Sequence, residues 1–190
     1  MSLPWGSSPG IVLLAPVTTV VQAAAAAAAG AALVDAGRDG ALVPAIRRAV
    51  SGVRVCGQHE TADVVRDTGL AARTGSALIC PGPDAAAAAV RRGMAAGRIL
   101  VQAAPAGIEA AVRDGWPVLA DLEGLADLEG LADLEGVAGR ARTEAVAAVC
   151  AWLGASVLRT RHVAGVRRCA DMTESILGRR SPAWALRGLA

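Results

Sequence analysis

The chain has 190 residues, enough for one domain with a sizeable core, and its formal charge at pH 7 is only +2. It contains no lysine and no asparagine, which excludes a Schiff-base lysine, a P-loop lysine and any asparagine ligand. Aromatic residues do not interleave with the arginines, so nucleic acid is not an expected partner.

The first long apolar stretch, residues 11–34, has to be considered as a membrane span or a signal peptide. No arginine precedes Arg38, so the charged segment that opens a signal peptide is missing. Pro16 and Gln22 interrupt the stretch, and much of the rest is alanine, which is only weakly apolar. We therefore predict a cytoplasmic protein that does not bind or cross a membrane.

One junction recurs along the chain, in which a glycine is followed by a short apolar strand. Glycine accepts the left-handed conformation that ends a helix, and continuously apolar strands are typical of a parallel sheet covered on both faces. Between the junctions lie alanine-rich segments with helix-capping residues such as Thr19. The junctions span residues 30–35, 52–56, 75–80, 97–102, 115–120 and 154–159, and an opening strand spans residues 11–16.

This alternation of strands and helices predicts an α/β fold with a parallel sheet. Seven strands are visible, whereas a closed (β/α)₈ barrel usually takes 200 or more residues. We predict a TIM-type (β/α)₈ barrel that is shortened or incomplete, with about seven visible β–α units. An open doubly wound sheet is the alternative.

Two segments stand apart within this single domain, residues 1–190. The sequence Leu-Ala-Asp-Leu-Glu-Gly occurs three times, at 119–124, 125–130 and 131–136, and we interpret residues 125–136 as a low-complexity acidic insert. Its acidic spacing matches no calcium-binding motif. Residues 179–190 form a C-terminal tail with Trp184, which we expect to pack on the barrel or on a second subunit of a homodimer.

In a parallel barrel the functional groups lie at the carboxyl ends of the strands. Arg159 and Arg161 are two residues apart on one strand, so they share a face and could clamp a phosphate or carboxylate, or pair with nearby acidic residues. The predicted ligand-binding residues are Asp35, Gln58, Gln102, Asp121, Arg159 and Arg161, and the candidate acid–base groups are His59, Glu60 and His162.

The four cysteines, Cys56, Cys80, Cys150 and Cys169, are widely spaced and form no disulfide pattern. Cys56 and His59 have Cys-x-x-His spacing, and a zinc site could form with Cys80 or His162. A single pair at this spacing is a weak signal, so we expect reduced and mostly buried thiols, no metal and no cofactor.

Several segments resemble the dihydropteroate synthase, or pterin-binding, family. Residues 30–37 resemble its second strand, which ends in Asp-x-Gly, and residues 42–47 resemble the helix that follows. Residues 98–101 and 116–119 resemble two later strands, and residues 154–163 resemble the last strand with its Arg-x-His-Asp-Val pattern. The resemblance implies a (β/α)₈ barrel that condenses a pterin pyrophosphate with p-aminobenzoate, a transferase of folate biosynthesis.

The family's polar residues are mostly replaced, and only Asp35 and Arg159 match. Gln58-His59 stand in place of Asp-Thr after strand three, Cys80-Pro81 in place of Asn-Asp after strand four, and Gln102 in place of the Asp of Asp-Pro-Gly. The acidic repeat replaces the Ser-Arg-Lys loop, Arg161-His162 replace His-Asp, and one strand–helix unit is missing.

We therefore expect a divergent dihydropteroate synthase-like protein that binds a pterin or a related small anionic ligand, with weak or no synthase activity. Two alternatives are a barrel enzyme of different chemistry that uses His59, Glu60 and His162, and a non-catalytic scaffold or interaction protein.

Overall fold

The computed structural model describes residues 10–123 and 137–180, and within them the chain forms a closed barrel of eight parallel strands in sequence order. The predicted acidic insert at 125–136 and residues 181–190 of the predicted tail lie outside these ranges. The strands are β1 (Val12–Pro16), β2 (Leu33–Asp35), β3 (Arg54–Cys56), β4 (Val64–Val65), β5 (Ala77–Cys80), β6 (Ile99–Gln102), β7 (Val118–Asp121) and β8 (Val157–Arg159).

Seven α-helices in the described residues follow these strands around the barrel. They are α1 (Val20–Ala28), α2 (Leu42–Ala49), α3 (Thr68–Thr74), α4 (Pro83–Arg91), α5 (Pro105–Arg113), α6 (Val137–Trp152) and α7 (Val163–Ile176), and a short 3₁₀ helix spans Ala96–Arg98. Residues 57–63, which connect β3 to β4 and are all described, contain no helix. No helix of the described ranges is long and apolar enough to span a bilayer.

The predicted TIM-type barrel is confirmed, and the open-sheet alternative is wrong because β1 pairs with both β2 and β8. The sequence pattern made seven of the eight strands visible, and the strand that it did not reveal is β4. This strand has only two residues, Val64 and Val65, and no glycine junction precedes it. The chain is therefore short because it has no helix between β3 and β4, and not because a complete strand–helix unit is missing.

Local chemistry accounts for the ends of several helices. Thr19 Oγ1 accepts a hydrogen bond from the Gln22 N–H at 3.1 Å and so caps the start of α1. Gly75 ends α3 with φ of +78°, a conformation that costs a residue with a side chain more than it costs glycine. The junction at residues 97–102 differs, because Gly97 lies in the 3₁₀ helix and Gly93 takes the positive φ.

Successive side chains of each strand alternate between the barrel interior and the helix layer. One buried cluster, which includes Leu14, Leu33, Leu100 and Leu119, fills the interior, and a larger cluster packs between the strands and the helices. With no phenylalanine or tyrosine in the chain, small aliphatic residues build most of both clusters. The interior cluster closes the barrel below its carboxyl-end mouth.

Candidate functional site

The alternation along the strands carries four polar side chains to the mouth of the barrel. Each of these side chains lies two residues after an interior-facing residue, on the same face of its strand. The pairs are Leu33 and Asp35, Leu100 and Gln102, Leu119 and Asp121, and Val157 and Arg159. The pairing of Asp121 with Arg159 in the β7–β8 register brings two of them side by side. All four were predicted as ligand-binding residues from the ends of the strands.

Asp35 is at the centre of the polar network and is only 4% exposed. Its Oδ1 accepts a hydrogen bond from the Gly37 N–H at 2.9 Å, and its Oδ2 lies 3.0 Å from Arg66 Nη2 and 3.2 Å from Arg159 Nε. Burial works to raise the pKa of Asp35, but the charges of Arg66 and Arg159 and the Gly37 hydrogen bond outweigh it and hold the pKa below its usual value. Asp35 is therefore a fixed carboxylate rather than a proton donor.

Arg159 is held between two carboxylates. Its Nη1 donates to both oxygens of Asp121, at 3.1 and 3.2 Å, while its Nε donates to Asp35. The Glu123 N–H donates to Asp121 Oδ1, and Glu123 Oε1 in turn accepts the Arg161 N–H at 2.7 Å. These contacts fix the guanidinium of Arg159 in one orientation at the mouth.

Arg66 belongs to this network, although sequence reasoning did not identify it. Its Nη2 pairs with Asp35, and its Nη1 lies 3.4 Å from Gln102 Oε1. The residue follows the two-residue strand β4 directly, so it was missed together with that strand. One signal could have found it, since Asp67 accepts from the Leu70 N–H and caps α3, which marks Val64-Val65-Arg66 as the strand before a helix.

Asp35 and Arg159 of this network also line a cleft of about 1110 Å³ that runs from the mouth toward α1 and α7, whereas Arg66, Gln102 and Asp121 do not line it. Among the described residues that line it are three carboxylates and a larger number of arginines, so a positive charge prevails. His162, which precedes α7, also lines the cleft. The five arginines are Arg38, Arg140, Arg159, Arg161 and Arg168, and the carboxylates are Asp35, Asp39 and Glu144.

The connection from β3 to β4 contains three further predicted site residues, Gln58, His59 and Glu60, and none of their side chains has a hydrogen bond to this network within the described residues. Gln58 is exposed, and its backbone N–H donates to the Gly37 carbonyl at 3.3 Å. The His59 ring contacts Thr61, with 2.9 Å between Nδ1 and Oγ1. Glu60 lines a separate, smaller cavity of about 360 Å³ at the amino ends of β4 and β5. The large cleft therefore contains His162 but not Glu60 among its described lining residues.

The cysteine thiols are free in the structure, and three of the four are buried. Burial, followed by the charge and hydrogen bond of Asp35, raises the pKa of Cys56, so this thiol stays protonated beside the network. Burial also raises the pKa of Cys150, to about 11. Within residues 10–123 and 137–180, no three histidine, cysteine or acidic side chains are grouped so that they could hold a metal ion. Cys56 and His59 are therefore not part of such a group.

No model of a protein family matches the sequence, and no curated protein does. Solved structures do match. The Yersinia pestis dihydropteroate synthase superposes with a TM-score of 0.74 at 15% identity, covering 89% of this chain and 93% of that one. The chain has the dihydropteroate synthase fold. A Xanthomonas albilineans dihydropteroate synthase in complex with 7,8-dihydropteroate matches with a TM-score of 0.68 at 17% identity, over 88% and 93% of the two chains.

The Mycobacterium tuberculosis protein Rv1207 is 23% identical and has a TM-score of 0.71, with 93% of this chain and 96% of that chain covered. The resemblance to dihydropteroate synthases is thus confirmed for the fold.

One detail of the resemblance was wrong, because Cys80-Pro81 follow β5 and not the fourth strand. Arg66-Asp67 follow β4, where the family's pattern has Asn-Asp. An arginine therefore stands at the mouth where the family carries an amide.

Proposed function

We propose that this protein binds a small anionic ligand of the pterin type at the carboxyl-end mouth of the barrel. The observation that carries the proposal is the position of Arg159, which two carboxylates orient at the mouth of a large cleft. A guanidinium held in this way offers its remaining N–H groups to a carboxylate or phosphate without losing side-chain freedom on binding. Solved neighbours of the same fold bind pterin-containing molecules, among them 7,8-dihydropteroate.

The charge of the cleft supports an anionic ligand. Arg38, Arg140 and Arg168 line it, and the described part of the chain provides no ion pair for them. Cationic side chains that are already directed into a cleft raise the local concentration of anions and orient them. A ligand with a carboxylate or phosphate substituent therefore matches the charge of both the mouth and the cleft.

We also propose that synthase activity is weak or absent. The chain has no lysine and no asparagine to take the places that those residues hold in the family. Asp35, the aspartate that matches the family, is buried and accepts hydrogen bonds from Arg66 and Arg159 of the chain itself, so most of its acceptor positions are not open to a substrate. A cytoplasmic location and a homodimer remain predictions.

Isothermal titration calorimetry with pterin-6-carboxylate tests the binding proposal. We expect saturable binding to the wild type and a dissociation constant raised by roughly tenfold or more in Arg159→Gln, since a hydrogen bond to a charged group is worth about 1.5–3 kcal/mol. The matched control is Arg47→Gln, whose arginine pairs with Asp63 at the opposite end of the barrel. An absence of binding at millimolar ligand, or equal binding by Arg159→Gln, would contradict the proposal.

Activity is tested separately by incubating the protein with dihydropterin pyrophosphate and p-aminobenzoate beside an active dihydropteroate synthase. We expect no dihydropteroate above background from this chain. Turnover at a rate comparable with that of the active synthase would contradict the second part of the proposal.

A further inference from the structure

The hydrogen-bonding groups at the mouth point to a ligand with a particular chemical edge. A carboxylate offers about four acceptor positions. At Asp35 three of these are taken, by the Gly37 N–H, by Arg66 and by Arg159. The protein itself therefore uses most of the acceptor positions of the most deeply buried carboxylate at the mouth.

The other acceptors are engaged in the same way. Both oxygens of Asp121 accept from Arg159 Nη1, and one of them also accepts from the Glu123 N–H. The Oε1 of Gln102 faces Arg66 Nη1 at 3.4 Å, which turns the amide N–H groups of Gln102 away from this contact. Most acceptor positions of Asp35, Asp121 and Gln102 are thus used within the protein.

The donors at the mouth are in excess. A guanidinium carries five N–H groups. In the described contacts Arg66 uses its two terminal nitrogens once each, and Arg159 uses Nε and Nη1, which leaves the Nη2 group of Arg159 available to a ligand. The side chain of Arg66 is 35% exposed and that of Arg159 is 22% exposed, so both guanidinium groups are accessible from solvent.

This pattern disfavours the 2-amino group of a pterin, because both of its N–H donors would face the donors of the guanidinium groups. A buried donor left without an acceptor costs the free energy of its desolvation. From the arrangement around Arg66 we propose that this residue determines specificity, so that the mouth prefers pteridines with a carbonyl acceptor at C2 over those with an amino donor there. The inference deepens the proposed function and depends on ligand binding at this mouth.

Lumazine-6-carboxylate and pterin-6-carboxylate form a matched pair for the test. They share the bicyclic ring and the carboxylate. Pterin has an amino group at C2 and an acceptor nitrogen at N1, whereas lumazine has a carbonyl oxygen at C2 and an N–H at N1, so the lumazine edge has fewer donors and one more carbonyl acceptor. Calorimetry gives both dissociation constants for the wild type, Arg66→Gln, Arg66→Lys and the control Arg47→Gln. Circular dichroism and the thermal midpoint establish that each variant is folded.

We expect the wild type and Arg47→Gln to bind the lumazine derivative about tenfold more tightly than the pterin derivative. Arg66→Gln frees Gln102 Oε1 and one acceptor position on Asp35 Oδ2, which keeps its contact with Arg159, so the preference should fall to within about threefold or reverse. Arg66→Lys keeps a charged donor and should retain a preference for lumazine.

Two results would overturn the inference while leaving the proposed function intact. One is tighter binding of the pterin derivative by the wild type, which needs no variant to interpret. The other is an unchanged preference in folded Arg66→Gln. If the wild type binds neither compound at millimolar concentration, the proposed function fails and the inference fails with it.

Discussion

Replacing Asp35 with asparagine tests the network where it is most buried. Asparagine keeps the shape of the side chain and can still accept the Gly37 N–H, but it removes the negative charge between Arg66 and Arg159. Breaking a fully buried ion pair costs about 3–5 kcal/mol. Here the two arginines are 35% and 22% exposed and Arg159 keeps Asp121, so water and the second carboxylate offset part of the loss. We expect Asp35→Asn to lower the free energy of unfolding by about 2–3 kcal/mol at pH 7.

The dependence of this difference on pH follows from the lowered pKa of Asp35. The folded protein holds the carboxylate charged to a lower pH than the unfolded chain, in which the pKa is about 3.9. As pH falls, the unfolded chain takes up the proton first, so the stabilisation is complete above that value and is lost as pH falls through the folded pKa. The difference between wild type and Asp35→Asn should therefore be constant between pH 7 and about 5 and shrink in stronger acid.

Urea unfolding followed by circular dichroism at several pH values measures this difference. Asp171→Asn is the control, because Asp171 pairs with Arg167 and Arg180 on the protein surface and its removal should cost at most about 1 kcal/mol. A loss below about 0.5 kcal/mol for Asp35→Asn, or a loss that does not shrink in acid, would refute the reasoning.

Three further predictions concern packing and thiol chemistry. Gly57→Ala should lower the free energy of unfolding by about 1–3 kcal/mol, because the added Cβ would lie 2.7 Å from Cγ2 of buried Val43. Urea titration measures this loss, and an unchanged midpoint would show that the Val43 side chain can move aside. Leu14→Ala should cost about 2–5 kcal/mol by removing a fully buried side chain from the barrel interior, whereas Val21→Ala, at a position 79% exposed, should change stability by less than about 0.5 kcal/mol. In native protein a disulfide reagent should modify only the partly exposed Cys169 on the time scale of minutes, and rapid modification of Cys56 would contradict its burial and raised pKa.

The barrel could be predicted because its signals are local. Glycine junctions, continuous apolar strands and alanine-rich helices are each encoded in a few neighbouring residues, and they identified seven of the eight strands. The strand that was missed, β4, has only Val64 and Val65, which is too short for a hydrophobic pattern. The barrel context alone defines it, through pairing with β3 and β5.

The candidate site was predictable in part for the same reason. Asp35, Gln102, Asp121 and Arg159 follow recognisable strands, and the alternation of side chains brings them to one mouth. Arg66 was not predictable without β4. The β3–β4 connection has no helix, and local patterns do not predict its path. This path places Glu60 at a cavity by the amino ends of β4 and β5. Proximity across 31 residues, as between Arg66 and Asp35, is a property of the closed barrel and not of any local pattern.

A crystal structure of the protein with pterin-6-carboxylate tests the central claim most directly. The account predicts the pteridine at the carboxyl-end mouth, with an acceptor group of the ligand within hydrogen-bonding distance of the Arg159 guanidinium. A ligand bound elsewhere on the barrel, or an unoccupied mouth in crystals grown at a ligand concentration that saturates binding in solution, would contradict it.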